Sequence, residues 1–196
     1  LTDGFTVSYW AQLTDENLWD CLFSFFNPLS QARLYMTGNA YVGYNNNTGN
    51  WIDLNHPSTV TTGYLNAGKW AFVTMTVSRT DGVKLYVDGS QKNISAVAGS
   101  QNGTSITTKA QFDCNELVDF VASCSNMYLG YGSFWGSAEA SFDDLLVFNR
   151  VLTRTDVRAL NMAANREHNF TPTGIVAPIT NRRATADPKV YNLQGQ

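Results

Sequence analysis

The chain has 196 residues, 43% of them hydrophobic and 13% aromatic, enough for one domain with a sizeable core. Charged residues are 15%, below the about 25% of an average soluble domain. Lys plus Arg (13) nearly balances Asp plus Glu (16), for a net charge of −3. These values argue against a disordered chain, a coiled coil and a nucleic-acid binder. No apolar run approaches the ~18 residues needed to span a bilayer, so no membrane insertion is expected. Leu1 opens directly onto strand-like sequence with no signal peptide, as expected of a mature or excised piece of a longer protein.

Phe5 to Leu13 alternates cleanly. Phe5, Val7, Tyr9, Ala11 and Leu13 share one face, and Thr6, Ser8, Trp10 and Gln12 the other. That period of two predicts a half-buried strand. Trp19 to Asn27 repeats it, with Cys21, Phe23 and Phe25 on the core side, Cys21 as a small core residue. Shorter strands follow over 32–37, 40–45 and 50–55, parted by Gly and Asn turns. Lys69–Arg79 and Val83–Asp88 form a hairpin. Val73, Met75 and Val77 share a face with Val83, Leu85 and Val87 only if the loop has three residues, Thr80-Asp81-Gly82, with Gly82 left-handed.

Residues 97–124 are polar and irregular, and read as a long loop with one strand near 111–113. Within the three cysteines, Cys114 and Cys124 either pair or remain thiols. Ser125–Tyr131 and Ala140–Arg150 are the last strands. A helix follows, opened by Thr153 as N-cap with Asp156 completing a capping box. Its stripe of Val157, Leu160 and Ala164 is narrow, so the helix belongs on a sheet edge or outer face. From Arg166 the Pro-rich, aperiodic sequence reads as a linker or tail, giving a domain over 1–165 and an appendage over 166–196. The pattern predicts an all-β, two-sheet antiparallel jelly-roll sandwich with one short C-terminal helix.

Five segments occur in a characteristic order: Phe5-Thr6-Val7-Ser8-Tyr9-Trp10, Gly68-Lys69-Trp70-Ala71-Phe72-Val73, Lys84-Leu85-Tyr86-Val87-Asp88-Gly89, Tyr128-Leu129-Gly130-Tyr131, and Phe142-Asp143-Asp144-Leu145 running on to Asn149-Arg150-Val151-Leu152-Thr153. Together they resemble a LamG-like domain, bacterial laminin G type, of the concanavalin A-like lectin/glucanase superfamily. The resemblance implies a calcium-stabilised jelly roll attached to glycoside hydrolases or other surface glycan-processing proteins. Val190 to Gln196 resembles the start of the C-terminal secretion tails of Bacteroides- and Prevotella-type proteins. That implies an extracellular, cell-surface or periplasmic bacterial protein.

Hydrolases of the superfamily carry their carboxylates on one strand as Glu-x-Asp-x-x-Glu. Here Glu16, Glu116, Glu139 and Glu167 do not stand in that spacing, and Asp143 and Asp144 must point to opposite faces. His56 and His168 have no evident partner. No catalysis is therefore expected. Asp143 has the parity of Leu145 and Val147, which should face the core, and a buried carboxylate needs a partner. In related jelly rolls the Asp that starts this strand binds calcium. By that resemblance Asp143 is the candidate Ca²⁺ ligand, with Asp3 and Gly4 as candidate helpers, unless it only accepts backbone amides at a turn.

With Leu34, Met36, Val42, Tyr44, Ile52 and Leu54 directed inward, the outward set is Arg33, Tyr35, Tyr41, Asn45, Trp51 and Asp53, with Trp135 joining from the rim. Flat rings beside planar hydrogen-bonding groups suit a sugar, although outward aromatics also serve cross-strand packing. The expectation is a non-catalytic carbohydrate-binding module for a polysaccharide or oligosaccharide, working beside neighbouring domains of a larger polypeptide. The alternative is a structural or protein-interaction domain that braces a neighbouring catalytic domain and binds no glycan.

Overall fold

The computed structural model describes residues 1–167 apart from Glu16, Asn39, Thr62 and 133–136. Trp135 and the segment expected to form a secretion tail lie outside the described residues. Two antiparallel sheets are stacked. One has five strands in the order β12 (Ala140–Phe148), β1 (Gly4–Leu13), β6 (Trp70–Ser78), β7 (Gly82–Val87) and β8 (Ser90–Lys92). The other has seven: β10 (Thr104–Ile106), β9 (Val97–Gln101), β5 (Trp51–Leu54), β4 (Val42–Asn45), β3 (Arg33–Thr37), β2 (Cys21–Phe26) and β11 (Met127–Leu129). Among the described residues this is the mostly-β sandwich that the alternation requires.

The core fills the gap between the sheets. Phe5, Val7 and Tyr9 of β1 and Val73, Met75 and Val77 of β6 meet Phe23, Leu34, Met36, Val42, Ile52 and Leu54 from the other sheet. Each such side chain stabilises the fold by roughly 1.5–3 kcal/mol when fully buried. Tyr9 Oη, buried in this core, donates to Met36 Sδ at 3.6 Å. The β6–β7 hairpin keeps the expected faces and loop length, with Val77 opposite Val83 and Met75 opposite Leu85, but the loop sits one residue earlier than expected, at Arg79-Thr80-Asp81, because Gly82, at φ 71°, already pairs with Ser78.

The helix α2 (Arg154–Glu167) begins with the expected box. The Thr153 amide donates to Asp156 Oδ2 at 2.9 Å, and the Asp156 amide donates to Thr153 Oγ1 at 3.2 Å. Its apolar stripe covers the outer face of the five-stranded sheet. Val157 packs on Tyr86 and Leu152, and Ala164 and Leu160 pack on Trp10 and Phe72.

Three expectations need correction. Residues 97–124 are not a loop. They hold β9, β10, a 3-10 turn at Lys109–Gln111 in place of the expected strand near 111–113, and a helix α1 (Asn115–Ser123). Leu117, Val118 and Phe120 of α1 are buried in the core cluster. Cys114 and Cys124 cap opposite ends of this helix and are free. Lying ten residues apart at its two ends, they are held roughly 15 Å apart at about 1.5 Å per residue, beyond the reach of a disulfide. Cys21 leaves the main core, because a bulge between Cys21 and Phe23 switches its face; it packs with Tyr35 and Tyr41 on the far side of the sheet. Burial there pushes its thiol up to about 12.

Helix α1 is tied to the seven-stranded sheet by one carboxylate. Glu116 Oε1 accepts from Tyr44 Oη (3.0 Å) and Asn46 Nδ2 (2.9 Å), and Oε2 accepts from Asn50 Nδ2 (2.8 Å) and Gln101 Nε2 (2.8 Å). Those donors come from β4, both sides of the β4–β5 turn, and β9. Glu116→Ala strips the acceptor from four donors at once and is expected to cost about 1–3 kcal/mol in urea denaturation, with Glu116→Gln losing less. An unchanged midpoint for Glu116→Ala would show that the carboxylate holds nothing.

Candidate functional site

The outer face of the seven-stranded sheet carries two rows of side chains. Register places Arg33 opposite Asn45 and Asn45 opposite Trp51; one step along, Tyr35 lies opposite Gly43 and Gly43 opposite Asp53. Cross-strand partners share a face, so all six point away from the core. A cavity of about 220 Å³ is lined by Arg33, Tyr35, Tyr41, Asn45, Trp51 and Asp53, and also by Tyr44 and His56. The structure thus brings together every outward residue expected from the sequence except Trp135, which is not described.

Their exposure differs from the expectation. Arg33, Asn45, Trp51 and Asp53 are half-buried, but Tyr41 is only 1% exposed and Tyr35 6%. These two rings offer no open face for a ligand. They form the floor. Gly43 makes that possible: a Cβ there would stand 2.3 Å from Tyr35 Cζ, so the Tyr35 ring lies across the place a side chain would take. The Tyr35 and Tyr41 hydroxyls are 2.7 Å apart, and Tyr41 Oη donates to Asp53 Oδ1 at 2.8 Å. With Tyr41's only proton committed to the carboxylate, Tyr35 is the donor to Tyr41. A chain of hydrogen bonds therefore runs under the cavity and ends on Asp53.

His56, which shows no partner in the sequence, joins the site. Asn55 takes a left-handed turn (φ 60°) and its Oδ1 accepts the Ser95 amide at 3.0 Å, which swings the next residue back over the sheet. His56 then stands edge-to-face on Tyr41 (5.1 Å) and on Trp19 (5.2 Å). Ser58 Oγ lies 2.6 Å from His56 Nδ1 and the Ser58 amide donates to the same nitrogen at 3.3 Å, so that pair is a local turn. The one available signal was the Asn-His-Pro sequence, a turn directly after a strand whose outward side was already polar and aromatic.

The charges in the cavity are Arg33 and Asp53. Burial raises the Asp53 carboxyl above the ordinary carboxylate range, against the opposing pull of the Tyr41 hydroxyl, His56 and Arg33. Burial likewise lifts the Tyr41 hydroxyl far above its usual value, and Tyr35 and Asp53 add to the effect. The tyrosine therefore stays a neutral donor. The site offers one half-open indole, one guanidinium, one amide and one carboxylate, which together can stack on a flat apolar face and exchange hydrogen bonds with hydroxyls.

Asp143 lies elsewhere. A bulge in β12 pairs Ser8 with Leu146 but Trp10 with Asp143, and Asp144 within it has φ 46°. The extra residue reverses the parity, so Asp143 shares the outer face with Trp10 instead of the core face and is exposed. One of its oxygens accepts the Asp144 amide at 2.8 Å. Gly4 is six residues from Trp10 along β1, roughly 20 Å at about 3.4 Å per residue, so Asp3 and Gly4 cannot join Asp143 on one ion. Among the described residues no three His, Cys, Asp or Glu side chains converge on a metal position.

A family model, Laminin_G_3, described as concanavalin A-like lectin/glucanases superfamily, matches residues 1–158. No curated protein matches the chain. Among solved structures it is similar to domain 4 of AbnA, a GH43 extracellular arabinanase from Geobacillus stearothermophilus, solved in complex with arabinotriose. The identity there is 16% and the TM-score 0.50, over 81% of this chain and 66% of that one. It is also similar to the botulinum neurotoxin serotype D binding domain (15% identity, TM-score 0.45) and to the neurotoxin DC binding domain in complex with rat synaptotagmin II (16%, 0.45). The chain spans only 37% and 36% of those two. Among the described residues no helix is long and apolar enough to cross a membrane.

Two outcomes follow from this geometry. The folded chain holds the Asp53 proton more tightly than the unfolded chain, so this group's contribution to stability falls as pH rises through the carboxylate range to its folded value. Asp53→Asn removes that contribution and is expected to melt at or above the wild-type temperature at pH 7, with the gap closing below about pH 4; a variant that melts lower at pH 7 contradicts the account. For Asp143, melting curves in Ca²⁺ and in EDTA are expected to coincide, and Asp143→Asn to match both. A calcium-dependent rise that Asp143→Asn abolishes would restore the metal.

Proposed function

The chain belongs to the Laminin_G_3 family of the concanavalin A-like lectin/glucanase superfamily, and from that premise we propose that it is a non-catalytic carbohydrate-binding module. The observation that carries this reading is the convergence of Arg33, Asn45, Trp51 and Asp53 on one groove outside the core. Trp51 stacks on the C–H face of a sugar ring; Asn45, Arg33 and Asp53 exchange hydrogen bonds with its hydroxyls. Asp53 is the one acid among the described residues lining the groove, whereas glycoside hydrolysis by acid and base needs two. The module serves a larger secreted or cell-surface bacterial protein that processes glycans. It raises the effective concentration of a neighbouring catalytic domain on its polymer.

A second reading, contact with a neighbouring protein domain, draws support from a different place. Leu129 and Tyr131 at the β11 rim and Leu145 and Val147 on β12 are exposed large hydrophobics. The two rims lie close together, since a Cβ on Gly130 would stand 3.3 Å from the Phe142 ring. An array of plant and host polysaccharides separates the readings. Wild type is expected to bind, and Trp51→Ala to weaken binding about tenfold, roughly 1.4 kcal/mol. Binding to no polysaccharide, with retention by a partner domain that Val147→Asp abolishes, selects the second.

A further inference from the structure

The groove does not stop at Asp53. A second cavity of about 310 Å³ opens on the other side of β5, and it shares Asp53 and His56 with the first. Register makes the two continuous: Asp53 lies opposite Gly43 on β4 and opposite Ala98 on β9. Ala98 is small and exposed, so nothing rises from β9 to close the far side. The rim there is made of hydroxyls, from Thr59, Ser95 and Thr107, all exposed, and among the described residues no Lys or Arg lines it.

Resting on the carbohydrate reading above, we infer that the two cavities form one trough that takes an internal stretch of a neutral polysaccharide, lying across β4, β5 and β9. Three arguments converge. The first is size: separately the cavities sit below or at the ~300 Å³ floor of small-molecule sites, and only jointly do they reach the usual range. The second is span: from Arg33 on β3 to Ala98 on β9 there are three inter-strand gaps, roughly 14 Å at about 4.8 Å each, more than one sugar ring covers. The third is chemistry. Asp53 sits at the junction with Oδ1 taken by Tyr41, and its other oxygen accepts no hydrogen bond from the described residues. It is placed to accept hydroxyls from two successive units. Among the described residues the second cavity offers hydroxyls, this carboxylate and the shared His56, but no Lys or Arg to pair with an acidic sugar beside Asp53, so neutral units fit it better than uronates.

The test is calorimetric titration with linear arabino-, xylo- and cello-oligosaccharides of two to six units, with galacturonate oligomers as the acidic arm. In the neutral series that binds, affinity is expected to climb at least tenfold with length and then level off. Ala98→Ile places a β-branched side chain in the second cavity on an exposed strand that tolerates it. This variant is expected to melt like wild type and keep the short-ligand affinity, but to lose the gain from length. Trp51→Ala weakens short and long ligands alike. Equal affinity at all lengths, a length gain that survives in Ala98→Ile, or tighter binding of the galacturonates overturns the trough while leaving the binding reading intact. Failure of every oligosaccharide and of the polysaccharide array overturns both.

Discussion

In an antiparallel sheet a side chain does not choose its face. Once Arg33 is opposite Asn45 and Asn45 is opposite Trp51, the three stand on one side whatever their chemistry, and the next row, Tyr35, Gly43 and Asp53, follows them. A slip of one residue in any of these pairings would drive Leu34, Tyr44 and Ile52 out to solvent and Arg33 and Asp53 into the apolar gap. The cost of burying bare charge makes that slip prohibitive. The groove is therefore a consequence of the core. Its position on β3, β4 and β5 is as secure as the packing on the opposite face of those strands.

The floor beneath the groove extends this rigidity. Tyr35 folds across Gly43, hydrogen-bonds Tyr41, and through it orients the Asp53 carboxylate. From the rear, Glu116 grips Tyr44 and both flanks of the β4–β5 turn, so the hairpin that carries Asn45 and Trp51 is held from two sides. Groups fixed in this way lose little freedom when a ligand arrives, and more of the contact energy appears as affinity.

Alternation was legible wherever strands were regular. The faces of β1, β3, β4 and β5, the three-residue β6–β7 loop and the α2 capping box could all be read from spacing alone. It misled where a bulge changes the count. Nothing in the residues around Cys21 or Asp144 announces an extra position, so Cys21 was placed in the core and Asp143 on the core face, each one step out of phase. Helix α1 was hidden because its apolar stripe, Leu117, Val118 and Phe120, spans little more than one turn within a long Ser, Thr and Asn background, and part of its anchor to the sheet is a carboxylate. Direction was also easier to read than depth. Parity shows that Tyr41 points away from the main core, but its burial depends on His56 folding back over it, a contact between positions with no shared period.

The bulge in β12 has a bearing on how copies of this domain behave when crowded. β12 ends its sheet, and Leu145, Leu146 and Val147 on it are open to water. A straight edge of that composition is a template for strand-to-strand self-association between molecules. The left-handed kink at Asp144 breaks the regular run of amides and carbonyls beside those residues. A bulge with acidic side chains at the edge is a device that sheets use against fibre-like stacking.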